Sequence, residues 1–75
     1  MDPVIGQCVE AKPAYFTLPL YGIVIKVMKG SFIIQDENSV TMCFRIIRVI
    51  SDDKIPLVLQ KIAHCVRICQ FAEAT

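Results

Sequence analysis

The chain has no tryptophan, one histidine and only three glycines, and its 75 residues carry eight basic against seven acidic side chains. Each shortage excludes something. A membrane-spanning helix needs about 18 or more consecutive apolar residues, and a charged or polar residue interrupts every candidate stretch. The net charge of +1 supplies no broad basic field of the kind that drives nonspecific nucleic-acid binding. Met1-Asp2-Pro3-Val4 has neither the basic start nor the apolar segment of a secretory signal, so a cytoplasmic location is expected. The sequence contains no Gly-rich phosphate loop, no G-x-S-x-G and no H-E-x-x-H, the patterns that place a phosphate, a nucleophile or a zinc ion.

Cysteine is present but not in metal-binding spacing. Cys8, Cys43, Cys65 and Cys69 include no C-x-x-C pair, which a structural zinc site usually requires. In a cytoplasmic chain they are expected to be reduced and to serve as buried small hydrophobes. No metal or cofactor is expected.

What the chain does have is apolar bulk, 55% of its residues, above the roughly 45–50% of an average soluble chain. At this length only one domain, residues 1–75, is expected. Its interior is too small for so many apolar groups, so an exposed patch covered by a partner or a second copy is predicted.

Along the chain, Ile5 to Glu10 reads as a first strand, with Gly6 at its entry or at a bulge. Pro13 and Pro19, flanking Tyr15 and Phe16, predict a long loop over Ala11–Leu20, because proline removes a ladder donor. Tyr21–Met28 is a β-branched run and a second strand. Lys29-Gly30 marks a hairpin, Ser31–Gln35 the third strand, and Asp36-Glu37-Asn38-Ser39 a turn. Val40–Arg45 alternates as a fourth strand with Val40, Met42 and Phe44 toward the core, and Ile46–Ile50 supplies a turn and a brief fifth. Ser51-Asp52-Asp53 offers a helix start with Pro56 inside the first turn. Ile55, Val58, Leu59, Ile62, Cys65, Val66 and Cys69 then recur at helical spacing, opposite Gln60, Lys61, His64 and Arg67. Val66-Arg67-Ile68 also reads as strand. The expected fold is mainly β with one helix: a small SH3-like five-stranded barrel over residues 5–50 plus a C-terminal amphipathic α-helix over 53–71.

Gly6 with Val9, the Tyr15-Phe16 loop, Gly22-Ile23-Val24 with Lys26-Val27, Gly30, Glu37-Asn38 and Phe44-Arg45 form a pattern over residues 5–50. In it the chain resembles the SH3-like barrels of cyanobacterial and plastid type, notably the small ferredoxin-docking subunit S family of the photosynthetic NAD(P)H dehydrogenase-like complex. The resemblance implies an accessory subunit that docks an acidic electron carrier. The helix after Ser51 is an addition to that pattern.

Candidate chemistry is sparse. On a helix Cys65 and Cys69 share a face while His64 lies on the polar side, so the three do not converge on a metal or form a nucleophilic pair. Asp36-Glu37 and Asp52-Asp53 sit in turns, and structural roles are assigned to both. No catalytic residue is expected. The candidate partner-binding residues are the aromatics Tyr15, Phe16 and Tyr21, which present area at little entropic cost, with Lys26, Lys29, Arg45 and Arg48 as a basic strip beside them. The reading is a non-catalytic interaction module or accessory subunit that binds another protein or itself, with no membrane span and no small-molecule substrate. The alternatives are an RNA-binding barrel of Sm or KOW type that uses those basic residues on phosphates, and a cysteine-based metal or redox protein.

Overall fold

The computed structural model describes residues 4–13 and 17–74, with side chains through residue 69. Four antiparallel strands, β1 (Cys8–Pro13), β2 (Leu20–Met28), β3 (Ser31–Gln35) and β4 (Val40–Val49), close into a barrel in that order. A 3-10 turn at Asp52–Lys54 leads into helix α1 (Leu57–Ala74). A small, mainly β barrel with one C-terminal helix is therefore the architecture, as the sequence led us to expect. Among the described residues no helix is long and apolar enough to cross a membrane.

The local chemistry explains most boundaries. Gly30 adopts φ +78° in the β2–β3 turn, a conformation that costs glycine little. Between β3 and β4 the Asp36 Oδ1 accepts the backbone N–H groups of Asn38 at 2.8 Å and Ser39 at 2.6 Å, an aspartate turn held by its own side chain. β1 begins and ends later than expected. Ile5 and Gly6 form a turn in which Gly6 holds φ +93°, and the strand runs on through Pro13, which pairs with Cys43 at a register shift. Proline is tolerated there because a strand end at a bulge demands no ladder N–H.

The strand count is four, not five. Val40–Val49 is continuous, and its two parts serve different neighbours: β3 pairs with Val40–Cys43, while β1 pairs with Cys43–Val49. Against β1 the register skips Phe44 and Ile47. Two such bulges bend β4 enough to reach from one neighbour to the other, where a flat strand would have to break.

The inward face of β4 is also the reverse of the expected one. Val40, Met42 and Phe44 are 59%, 49% and 55% exposed, whereas Cys43 is fully buried. The barrel interior holds Val9, Ala11, Val24, Phe32, Ile34 and Cys43, with Leu20 and Ile46 packed against them. So narrow an interior, already occupied by Phe32, takes small side chains from β1 and β4.

A second apolar layer lies between barrel and helix. Cys8 and Ile23, cross-strand partners on β1 and β2, meet Ile55, Leu59 and Ala63, with Ile50, Ile62 and Val66 around them. The expected helix face is thus largely the packed one, except that Val58, Cys65 and Cys69 are exposed. The helix starts after Pro56, not at Asp53. Proline disfavours helical backbone in the residue before it, and Ile55 is extended at φ −109°, ψ 156°. The chain therefore breaks into a short 3-10 turn and a separate α-helix, whose Leu59 and Gln60 N–H groups both donate to the Pro56 carbonyl.

Candidate interaction surface

Among the described residues, the outward side chains of β4 form the most apolar exposed stripe on the barrel. Along it Val40, Met42, Phe44 and Ile47 are all exposed, and Arg45 and Arg48 stand among them. Ile33 of β3 lies directly opposite Met42, and Gln35 opposite Val40, so the apolar area extends sideways onto β3. Alternation aims Val40, Met42 and Phe44 away from the interior once Cys43 faces in. The bulges at Phe44 and Ile47 add two residues with no partner on β1.

The basic groups are distributed around this stripe. Arg45 pairs across the strands with Lys12, and both are exposed, so two cations adjoin with no carboxylate between them. Arg48 is different: its Nε donates to Glu10 Oε1 at 2.9 Å. Glu10 in turn lies between Arg48 of β4 and Tyr21 of β2. Tyr21, Glu10 and Arg48 therefore form a row across three strands.

Of the candidate residues read from the sequence, Tyr21 and Arg48 come together through Glu10. Tyr21 also stands between two open cavities of about 340 and 320 Å³, which share Pro56 as a second wall. Lys26 lies elsewhere, opposite Ile33 on the β2–β3 side, and Lys29 sits in the hairpin turn. Arg45 adjoins Lys12 instead of the Tyr21 row. Tyr15 and Phe16 lie outside the described residues.

The cysteines divide into two kinds. Cys8 and Cys43 are buried, and desolvation pushes both thiols above their ordinary range, as expected where the charged form loses water. Cys65 and Cys69 are exposed on α1, which corrects the expectation that all four are buried small hydrophobes. Among the described residues no three His, Cys, Asp or Glu side chains gather as a metal site requires.

Sequence reasoning missed three features that matter here: the outward turn of Met42 and its neighbours, the Lys12–Arg45 pair and the Asp52–Arg67 pair. The first had a signal, since Thr41 and Cys43 are the small members of the alternation and a narrow barrel needs small inward residues. The pairings had none, because only the closed register brings Lys12 of β1 beside Arg45 of β4, and only the packing of α1 brings Arg67 back to Asp52.

No protein-family model, no curated protein and no solved structure matches this chain.

Proposed function

We propose that this protein is a non-catalytic interaction module, an accessory subunit that works in the cytoplasm and binds another protein or a second copy of itself through the outer face of β4. The observation that carries the reading is the exposure of Val40, Met42 and Phe44, three large apolar side chains at alternate positions of one strand. Scattered apolar residues are normal on a surface. A contiguous row on one strand, with Arg45 beside it, has the composition of an interface centre.

The test compares the wild-type chain with Met42→Lys. Wild-type protein is expected to self-associate in sedimentation, or to retain a partner from native-host extract, and Met42→Lys is expected to abolish whichever is seen. Equal behaviour of the two proteins would sink the reading.

The adjoining cations Lys12 and Arg45 favour a second reading, in which the same face holds single-stranded RNA or, as the resemblance implies, an acidic carrier protein. Retention of RNA at low salt that Arg45→Glu abolishes would support the nucleic-acid form of it.

A further inference from the structure

We infer that the occupant of the β4 face is a second copy of this chain, the two β4 strands lying face to face and antiparallel about a two-fold axis at Met42. The inference deepens the interaction reading and rests on it. Its basis is a symmetry in what flanks Met42.

In a two-fold contact, residues equally far before and after the axis meet each other. Two positions before Met42 stands Val40, and two after stands Phe44, both exposed. Three after stands Arg45. Three before stands Ser39, onto which the acidic turn folds back: the Asp36 N–H donates to the Ser39 carbonyl at 3.0 Å, and Asp36 Oδ1 accepts from Ser39. Asp36 and Glu37 therefore sit at one end of the Val40–Phe44 segment and Arg45 at the other. Neither Glu37 nor Arg45 has an ion-pair partner of its own among the described residues.

Antiparallel stacking uses all of this at once. Met42 lies on Met42 of the second copy, Val40 on Phe44, and each Arg45 meets the acidic turn of the other chain. Parallel stacking would set Arg45 on Arg45, a like-charge contact that disfavours that arrangement. On the β3 side Ile33, in register with Met42, lies on its counterpart, and Lys26 beyond it falls at the rim, where a closed barrel curves away.

The available area is that of a small interface. Val40, Met42 and Phe44 are each about half exposed. Together they present on the order of 300 Å² of apolar surface, to which Ile33 adds, against the roughly 450 Å² of apolar area on one side of a standard-size interface. The contact uses the face of β4 and not its edge, because β4 is already paired with β3 along Val40–Cys43 and with β1 along Cys43–Val49, and a closed barrel leaves little edge for strand addition.

Sedimentation velocity of the full chain, from low to high micromolar concentration, tests the inference. The expected result is a dimer that Met42→Lys dissociates and Arg45→Glu weakens about tenfold, since two symmetry-related surface pairs are lost. Adding Glu37→Lys to Arg45→Glu restores the pair with reversed signs and is expected to restore the dimer. In a Cys65→Ser, Cys69→Ser background, a short bis-maleimide is expected to link Met42→Cys to itself, and Val40→Cys to Phe44→Cys, but not Val40→Cys to itself. A dimer indifferent to Met42→Lys, or failure of the charge reversal to rescue, overturns the inference. A monomer at every concentration also overturns it. If that monomer still captures a protein or RNA that Met42→Lys loses, the interaction reading stands without the self-pairing, and if it captures nothing, both fall.

Discussion

The Asp52 carboxylate receives both terminal nitrogens of Arg67, Nη1 at 2.6 Å and Nη2 at 3.0 Å. The same guanidinium donates through Nε to the Gly6 carbonyl at 2.9 Å. One side chain thus ties the helix to the 3-10 turn and to the turn that precedes β1. Gly6 is shaped for it, because a Cβ there would come within 2.7 Å of Arg67 Cγ. Both partners of the ion pair are about half exposed, so the pair alone is expected to contribute less than about 1 kcal/mol. Arg67→Ala also strands the Gly6 carbonyl, and a loss of about 1–2 kcal/mol is expected. Urea unfolding of Arg67→Ala beside Asp52→Asn checks this, with the arginine variant the less stable of the two.

The same contact makes a small part of stability depend on acid. The hydrogen bonds from Arg67 hold the Asp52 carboxyl below its ordinary range. A depressed carboxylate stabilises the fold above its unfolded pKa of about 3.9, and that contribution disappears as pH falls through the folded value. The stability gap between wild type and Asp52→Asn is therefore expected near neutral pH and expected to close in strong acid. A gap that persists at low pH would show that Asp52 acts by some means other than its charge.

Thiol chemistry separates the two kinds of cysteine. Cys65 and Cys69 are expected to be alkylated in the native protein, while Cys8 and Cys43, buried and with raised pKa values, resist until the chain unfolds. Mass spectrometry after iodoacetamide treatment, with and without denaturant, counts them. Native modification of Cys43 would contradict the inward face assigned to β4.

Two phenylalanines test that face directly. Phe32 lies inside the barrel and Phe44 outside it. Phe32→Ser is expected to cost at least about 3 kcal/mol, through lost burial and a cavity that receives a hydroxyl. Phe44→Ser is expected to cost under about 0.5 kcal/mol when measured at concentrations too low for association. Thermal unfolding of the pair decides between the two possible faces of β4.

Much of this fold is legible in the residues, for local reasons. Gly30 and the Asp36–Ser39 turn carry their own conformations, so the β2–β3 and β3–β4 connections and the span of β3 follow from neighbours in the chain. The helix follows from apolar spacing, but its start does not: the expected start at Asp53 puts Pro56 inside the first turn, whereas Ile55 is extended before that proline and α1 begins at Leu57. What alternation leaves open is its phase. Val40-Thr41-Met42-Cys43-Phe44 alternates equally well with either set inward, and hydrophobicity alone selects the wrong one. The limited volume beside Phe32 decides in favour of Cys43. The candidate surface was less legible for the same reason, since its members look like core residues until that volume is known. Arg45 and Arg48 stand out in sequence, but their partners Lys12 and Glu10 are supplied by a strand at the other end of the barrel sequence.

The continuity of β4 has a kinetic side. Hairpins β2–β3 and β3–β4 join residues close in the chain, and such turns form within microseconds. The β1–β4 ladder joins Glu10 to Arg48, 38 positions apart, so its loop-closure entropy must be met before any of its contacts can offset it. Three strands are therefore expected to assemble early and the β1–β4 seam late, an order that folding and unfolding rates of variants in each region would check. Substitutions at Phe32 or Ile34 would slow folding itself, while those along the Val9–Pro13 seam would chiefly hasten unfolding.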